Sequence, residues 1–131
     1  MTDLGEWLAA QGGRRREPGV WDCCAMPAEW AIECGRPDPM ALWRGTYATD
    51  EEAEERIAEA GGLAALFAIG MDDAGIREVA DPEMGDIGVI SLGTHEAGAI
   101  FTGRRWAFVP LGRGLTFSSL DLSSVLRVWR P

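Results

Sequence analysis

The sequence predicts an α+β fold in which helices come first and a small antiparallel sheet follows. Apolar residues recur at helical spacing up to about residue 70, and the period changes to two from about residue 75. Glycine-containing turns then separate short segments, with no room for helices between them. Helices followed by a run of short strands are typical of α+β domains.

Length and composition predict one globular domain over residues 1–131, helical over about 1–70 and strand-rich over about 75–131. Of the residues, 47% are hydrophobic and 25% are charged, which is ordinary for a folded domain. The net charge of −9 argues against nucleic-acid binding, because phosphate contacts need a basic surface. No apolar run approaches the roughly 18 residues of a membrane span, and the start does not read as a signal peptide. We therefore expect synthesis in the cytoplasm and no membrane span.

Helix periodicity, capping side chains and terminal glycines define the helical part. The predicted helices cover residues 3–11, 23–34, 51–60 and 63–69, with a further short helix after Asp38 and Pro39. Asp22 is the natural N-cap of the second helix, and Pro27 is expected to loosen its first turn. This places an irregularity beside the cysteines.

Segments with a period of two define the second part of the chain. A segment at 76–79 precedes Asp81-Pro82, and others follow at 87–92, 99–102, 106–109, 115–117 and 126–129. We predict a meander of about five short antiparallel strands, against which the helices pack.

The three cysteines, Cys23, Cys24 and Cys34, fit no disulfide framework, because their number is odd and neighbouring cysteines on a helix cannot easily bridge. A zinc site would need spacings such as CxxC, which are absent. We therefore expect reduced thiols, no metal and no cofactor.

Cys23 is the candidate reactive residue, because it follows Asp22 at a predicted helix start. The positive end of a helix lowers the pKa of a thiol, and a histidine then completes the site of a cysteine hydrolase. Periodicity alone equally makes Cys23 a core-edge residue. The single histidine, His95, is either the base or an exposed loop residue.

Four motifs occur in a fixed order along the chain. Asp22-Cys23 begins a helix, residues 35–47 read Gly-Arg-x-Asp-Pro…Trp-Arg-Gly-x-Tyr, Gly85-Asp86 precedes a strand, and residues 98–103 form a second strand ending in glycine. In this combination the chain resembles the NlpC/P60 superfamily, papain-like cysteine peptidases that cleave peptidoglycan stem peptides. The 35–47 segment is similar to small NlpC/P60-like proteins of phage and prophage tail modules.

The resemblance implies a papain-like fold with Cys23 as nucleophile, but a degenerate site. Aligned on its turn glycine, the second strand has Ala97 at the place of the catalytic histidine. The polar residue that orients the histidine would fall near Val109 or Pro110, neither of which is polar. A thiolate with no base and no orienting group lacks the nucleophile–base–orienter arrangement that catalysis needs.

The resemblance also implies an alternative catalytic base, His95, and a substrate groove. His95 lies two residues before Ala97, on the same side of an extended strand, and a bulge or a shifted strand start would bring it to Cys23, with Glu96 or Asp86 as a nearby polar partner. The groove would be lined by residues beside the nucleophile and before the first strand, namely Trp21, Asp22 and Asp86.

Two functions follow as expectations. The first is a catalytically inert structural component of a phage-type tail tip, located in the virion, whose partners are other tail proteins. The alternative is an active cysteine peptidase or amidase, with Cys23 and His95, that cleaves peptidoglycan stem peptides during genome delivery.

Overall fold

The structure, a computed structural model, describes residues 2–131 and begins with the four predicted helices. These are α1 Leu4–Gln11, α2 Ala25–Glu33, α3 Asp50–Ala60 and α4 Leu63–Asp73. Asp3 caps α1 by accepting a hydrogen bond from the Glu6 N–H, and Thr49 caps α3. Gly61 ends α3 with a φ of 97°, a conformation that favours glycine. None of the helices described is long and apolar enough to cross a membrane.

A single antiparallel sheet follows the helices, which confirms the α+β class. Its strands are β1 Arg77–Val79, β2 Ile87–Ser91, β3 Glu96–Phe101, β4 Trp106–Phe108, β5 Thr116–Ser118 and β6 Val125–Arg130. The order across the sheet is β1-β6-β2-β3-β4-β5, one strand more than the predicted five. Strand β6 lies between β1 and β2, so the sheet is not the simple meander that the sequence predicts.

Alternation along the strands gives the sheet two apolar faces. The register pairs Ile87 with Ile100, and both belong to the main core together with Phe67 of α4. It also pairs Ile90 with Ala97, and both belong to a second cluster that packs on the opposite face. The helices therefore cover one face, while the other is covered by side chains of the sheet and its loops.

Gly98 of β3 lies on the helix-facing side, at the point where the chain enters α2. A Cβ atom at this position would collide with the carbonyl oxygen of Cys23 and with the ring of Phe67. Glycine therefore allows the turn that carries Cys23 to rest directly on the backbone of β3.

The first turn of α2 is loosened as predicted, whereas the segment after α2 does not form the short helix predicted for it. Pro27 lies in the first turn of α2, where the hydrogen bond from the Ala28 N–H to the Cys24 carbonyl is long at 3.4 Å, as expected beside proline. The short helix predicted after Asp38 is wrong, because that segment forms consecutive turns. Asp38 accepts a hydrogen bond from the Met40 N–H at 2.9 Å, which satisfies a turn locally instead of extending a helix.

We expect Gly98→Ala to lower the free energy of unfolding by about 3 kcal/mol, at the upper end of the overpacking range, because the added methyl group meets backbone and an aromatic ring. Equilibrium urea denaturation measures the change. Gly13→Ala is the matched control, since a Cβ there meets nothing within 4 Å, and we expect a change within about 0.5 kcal/mol. Equal stability of the two variants would contradict the close contact at Gly98.

Candidate functional site

Asp22 is buried, 5% exposed, and its carboxylate accepts four hydrogen bonds. Oδ1 accepts from the N–H groups of Cys24 and Ala25 at 2.9 and 2.8 Å, which confirms the predicted cap of α2. Oδ2 accepts from the Gly19 N–H at 2.8 Å and from the Tyr47 hydroxyl at 2.7 Å. Four donors saturate a carboxylate, so this side chain is fully engaged in holding the turn.

The thiol of Cys23 lies in the turn between Asp22 and α2, partly buried. A hydrogen bond from the Cys24 thiol lowers the pKa of Cys23, and the Gly98 N–H and the positive charge of Arg16 lower it further, while burial and the Asp22 carboxylate act in the opposite direction. The same thiol–thiol hydrogen bond, with burial, raises the pKa of Cys24. The pair therefore loses its first proton from Cys23.

A cleft with a volume of about 490 Å³ opens beside Cys23. One wall is apolar and comes from Met40, Trp43, Ile57, Leu63 and Leu66. The other side is polar and includes Arg16, Asp50, Arg56, Thr94, His95 and Glu96. Arg16 forms an ion pair with Asp50 across the mouth of the cleft. Within residues 2–131, no group of three or more His, Cys, Asp or Glu side chains is placed to hold a metal ion.

His95 reaches this cleft, but it is exposed and lies just before β3. Its Nδ1 atom lies 3.4 Å from the hydroxyl oxygen of Thr94. Among the residues that the structure describes, no hydrogen bond joins it to Cys23. The cleft thus brings the predicted nucleophile and the predicted base together without pairing them.

Ala97, which the sequence alignment places where a histidine would be, lies on the sheet face opposite the helices, in the cluster with Ile90. The helix-facing positions of β3 are Gly98 and, two residues earlier, Glu96. Glu96 lines the cleft. Glu96 therefore lines the same cleft as Cys23, and Cys23 also packs against the cluster that contains Ala97. Sequence reasoning considered Glu96 only as a partner for His95.

Trp21 does not line the cleft, so its predicted role in a groove is wrong. It is 1% exposed, its ring centroid lies 6.3 Å from that of Trp7, and the Arg14 guanidinium lies 3.8 Å above it. A large aromatic ring contributes more by burial in such a cluster than at a surface.

Asp86 also lies outside the cleft, and its predicted groove role is wrong. It is 1% exposed and forms a bidentate ion pair with Arg130 of β6, at 3.0 and 2.8 Å, while accepting a hydrogen bond from the Glu83 N–H at 2.8 Å. The carboxylate ties the turn before β2 to β6. Val109, the predicted orienting position, is likewise buried in the main core.

Comparison with known proteins gives a family without an assigned function. The sequence model of a family described as Domain of unknown function (DUF6950) matches residues 1–131. No curated protein and no solved structure matches the chain. What the protein does must therefore be inferred from the geometry around Cys23.

We expect Asp22→Ala to destabilise the fold by about 3 kcal/mol, because it removes a helix cap and leaves two further donors without their charged acceptor. Asp3→Ala is the matched control: Asp3 caps α1 through a single hydrogen bond, and about 1 kcal/mol is expected there. Thermal and urea unfolding measure both. Similar losses in the two variants would show that the extra hydrogen bonds of Asp22 contribute little.

The three thiols should titrate in a fixed order. Alkylation followed by tandem mass spectrometry should give a midpoint for Cys23 below the free-thiol pKa of about 8.5, whereas Cys34, whose pKa is raised by burial, and Cys24 should react only at higher pH. Cys24→Ala should raise the Cys23 midpoint, because the donated hydrogen bond is lost. Cys34→Ala serves as control and should leave it unchanged; a shift of equal size in both variants would contradict the thiol pair.

Proposed function

Since the chain belongs to the DUF6950 family, whose function is not known, we propose its role from its geometry: it is a papain-like domain of the NlpC/P60 type with an inert site, and a structural component of a phage-type tail tip. The observation that carries the proposal is the environment of Cys23. The pKa of the thiol is lowered, but the groups that shift it are Cys24, Gly98, Asp22 and Arg16 rather than an imidazole.

The placement of Cys23 supports the papain-like part of the proposal. The residue precedes α2, and the turn that carries it rests on Gly98 of β3, an inner strand of an antiparallel sheet. Such a position at the amino end of a helix, backed by a sheet, is where papain-like enzymes hold their nucleophile. The hydrogen bond from the Gly98 N–H further favours negative charge on the sulfur.

Chemistry at this thiolate supports the inert part of the proposal. After attack on an amide, the tetrahedral intermediate expels the thiolate again unless an acid protonates the leaving nitrogen. The neighbours of Cys23 are poor donors for that step. The pKa values of Arg16 and Tyr47 are both raised, in Arg16 by its hydrogen bond with Asp50 and in Tyr47 chiefly by burial. Bond cleavage would therefore stop at a reversible adduct.

The segment that resembles tail proteins has an architectural role, which supports a structural component. Arg44 forms an ion pair with Asp38 at 2.9 Å, and Tyr47 donates its hydroxyl hydrogen to Asp22. The ion pair of Arg44 closes the segment on itself, and the hydrogen bond of Tyr47 holds the segment against the turn that carries Cys23. The motif thus fixes the conformation of the segment. A subunit of a particle needs surfaces of fixed shape to bind its neighbours.

An active cysteine peptidase or amidase is the second candidate, and one observation favours it. Cys23, whose pKa is lowered, and His95 line the same cleft. A movement of the turn before β3 would bring the imidazole to the sulfur, where it would serve as base and then as acid. This candidate requires His95 for turnover.

We expect purified protein to release no stem-peptide fragments from peptidoglycan sacculi, as read by liquid chromatography and mass spectrometry, and Cys23→Ala to give the same profile. Cleavage that disappears in both Cys23→Ala and His95→Ala would overturn the inert site in favour of the peptidase.

For the structural role, phage-type particles purified from the producing cells should contain the chain in a fixed ratio to other tail proteins. Its absence from particles would contradict that role.

A gain-of-histidine pair sharpens the same test. Glu96→His introduces an imidazole on the helix-facing side of β3, where it should lower the alkylation midpoint of Cys23. Leu122→His, at an exposed position that does not line the cleft, is the control and should leave the midpoint unchanged. An equal effect from position 122 would contradict a local effect of the imidazole at position 96.

A further inference from the structure

A second and larger concavity lies between α1 and the loops at the far side of the sheet, with a volume of about 800 Å³. Its floor and walls are mostly apolar and include Leu4, Leu8, Ala9, Met84, Leu115 and Phe117. None of these residues lines the cleft beside Cys23. This concavity, the α1 groove, is therefore a separate surface, and a role for it does not depend on the proposed function.

The α1 groove exposes large apolar side chains to solvent. Met84 is 70% exposed and Phe117 of β5 is 44% exposed. Apolar surface of this kind along a concave wall is typical of a site that another molecule covers.

Two arginines, Arg104 and Arg105, complete the lining of the groove at the turn between β3 and β4. Both are exposed, and neither forms an ion pair within residues 2–131. No aspartate or glutamate from that part of the chain lines the groove. The groove is therefore positively charged, although the protein has 21 acidic residues and a net charge of −9.

The arginines of this molecule divide into two equal groups. Six of the twelve form ion pairs with carboxylates, for example Arg127 with Glu78 at 2.6 Å and Arg130 with Asp86 at 2.8 Å, and the other six, which include the two of the groove, form none within residues 2–131. The groove arginines thus present guanidinium groups whose carboxylate partners are not supplied by the described residues. A planar guanidinium binds a carboxylate through two parallel hydrogen bonds.

We propose that the α1 groove binds an acidic segment of a partner protein, in which apolar side chains enter the groove and carboxylates pair with Arg104 and Arg105. The apolar walls provide the contact area, while the two arginines favour a partner with negative charge. At about 0.1 M salt the Debye length is near 10 Å, so the overall negative charge of the chain is largely screened at the groove. Higher salt also screens the exposed ion pairs themselves and should therefore weaken binding.

The test uses an array of short synthetic peptides that share the same leucine residues at varied spacings and differ only in whether the remaining positions are glutamate, glutamine or lysine. Fluorescence anisotropy with the full chain should show glutamate peptides binding at least about tenfold more tightly than their glutamine or lysine counterparts. The double variant Arg104→Glu/Arg105→Glu should remove that preference. Arg36→Glu/Arg77→Glu, two exposed arginines that do not line the groove, is the matched control and should retain it.

A second variant pair tests the apolar part of the groove. Met84→Gln, which removes the apolar side chain without adding a charge, should weaken the best glutamate peptide at least about tenfold, whereas Leu42→Gln, at a position that is 53% exposed and lies outside the groove, should not. Equal binding across the array, or loss of binding in the control variants, would overturn the proposal. Concentration-dependent dimerisation that Arg104→Glu/Arg105→Glu abolishes would also overturn it, because the occupant would then be a second copy of the chain.

Discussion

The carboxylate of Asp22 joins three stretches of the chain. It caps the start of α2, fixes the loop at Gly19 and anchors the hydroxyl of Tyr47, each through a hydrogen bond shorter than 3 Å. A buried charge is tolerated only when its lone pairs are filled, and here all four donors come from the surrounding fold. The position of Cys23, the next residue, follows directly from this arrangement.

The polar groups around Cys23 favour charge on the sulfur but offer no route for a second proton transfer. Stabilising a thiolate needs only donors, and Cys24 and Gly98 supply them. Cleaving an amide needs in addition a group that can both take up and release a proton near neutral pH, which is the property of an imidazole. The proposed inert site is thus one in which the thiolate is stabilised but no imidazole is hydrogen-bonded to it among residues 2–131.

Features that depend on neighbouring residues could be predicted from the sequence, and features that depend on distant ones could not. The cap at Asp22 and the bounds of α1 and α3 are local; the cap was predicted correctly, and the bounds of both helices were predicted to within one residue. The burial of Asp86 depends on Arg130, far along the chain, and so its exposure to a groove was predicted wrongly. The sequence did not indicate which side chains of β3 face the helices, because the strand begins at Glu96, earlier than its apolar residues suggest.

The position of β6 in the sheet has a consequence for how the protein is made. This strand fills the gap between β1 and β2, and its Arg130 pairs with the buried Asp86. While a ribosome is still synthesising the chain before residue 130, β1 has no neighbour to pair with and Asp86 is a charge without its partner. Because β6 is the only strand that pairs with β1 among those described, this part of the sheet forms only after β6 has emerged.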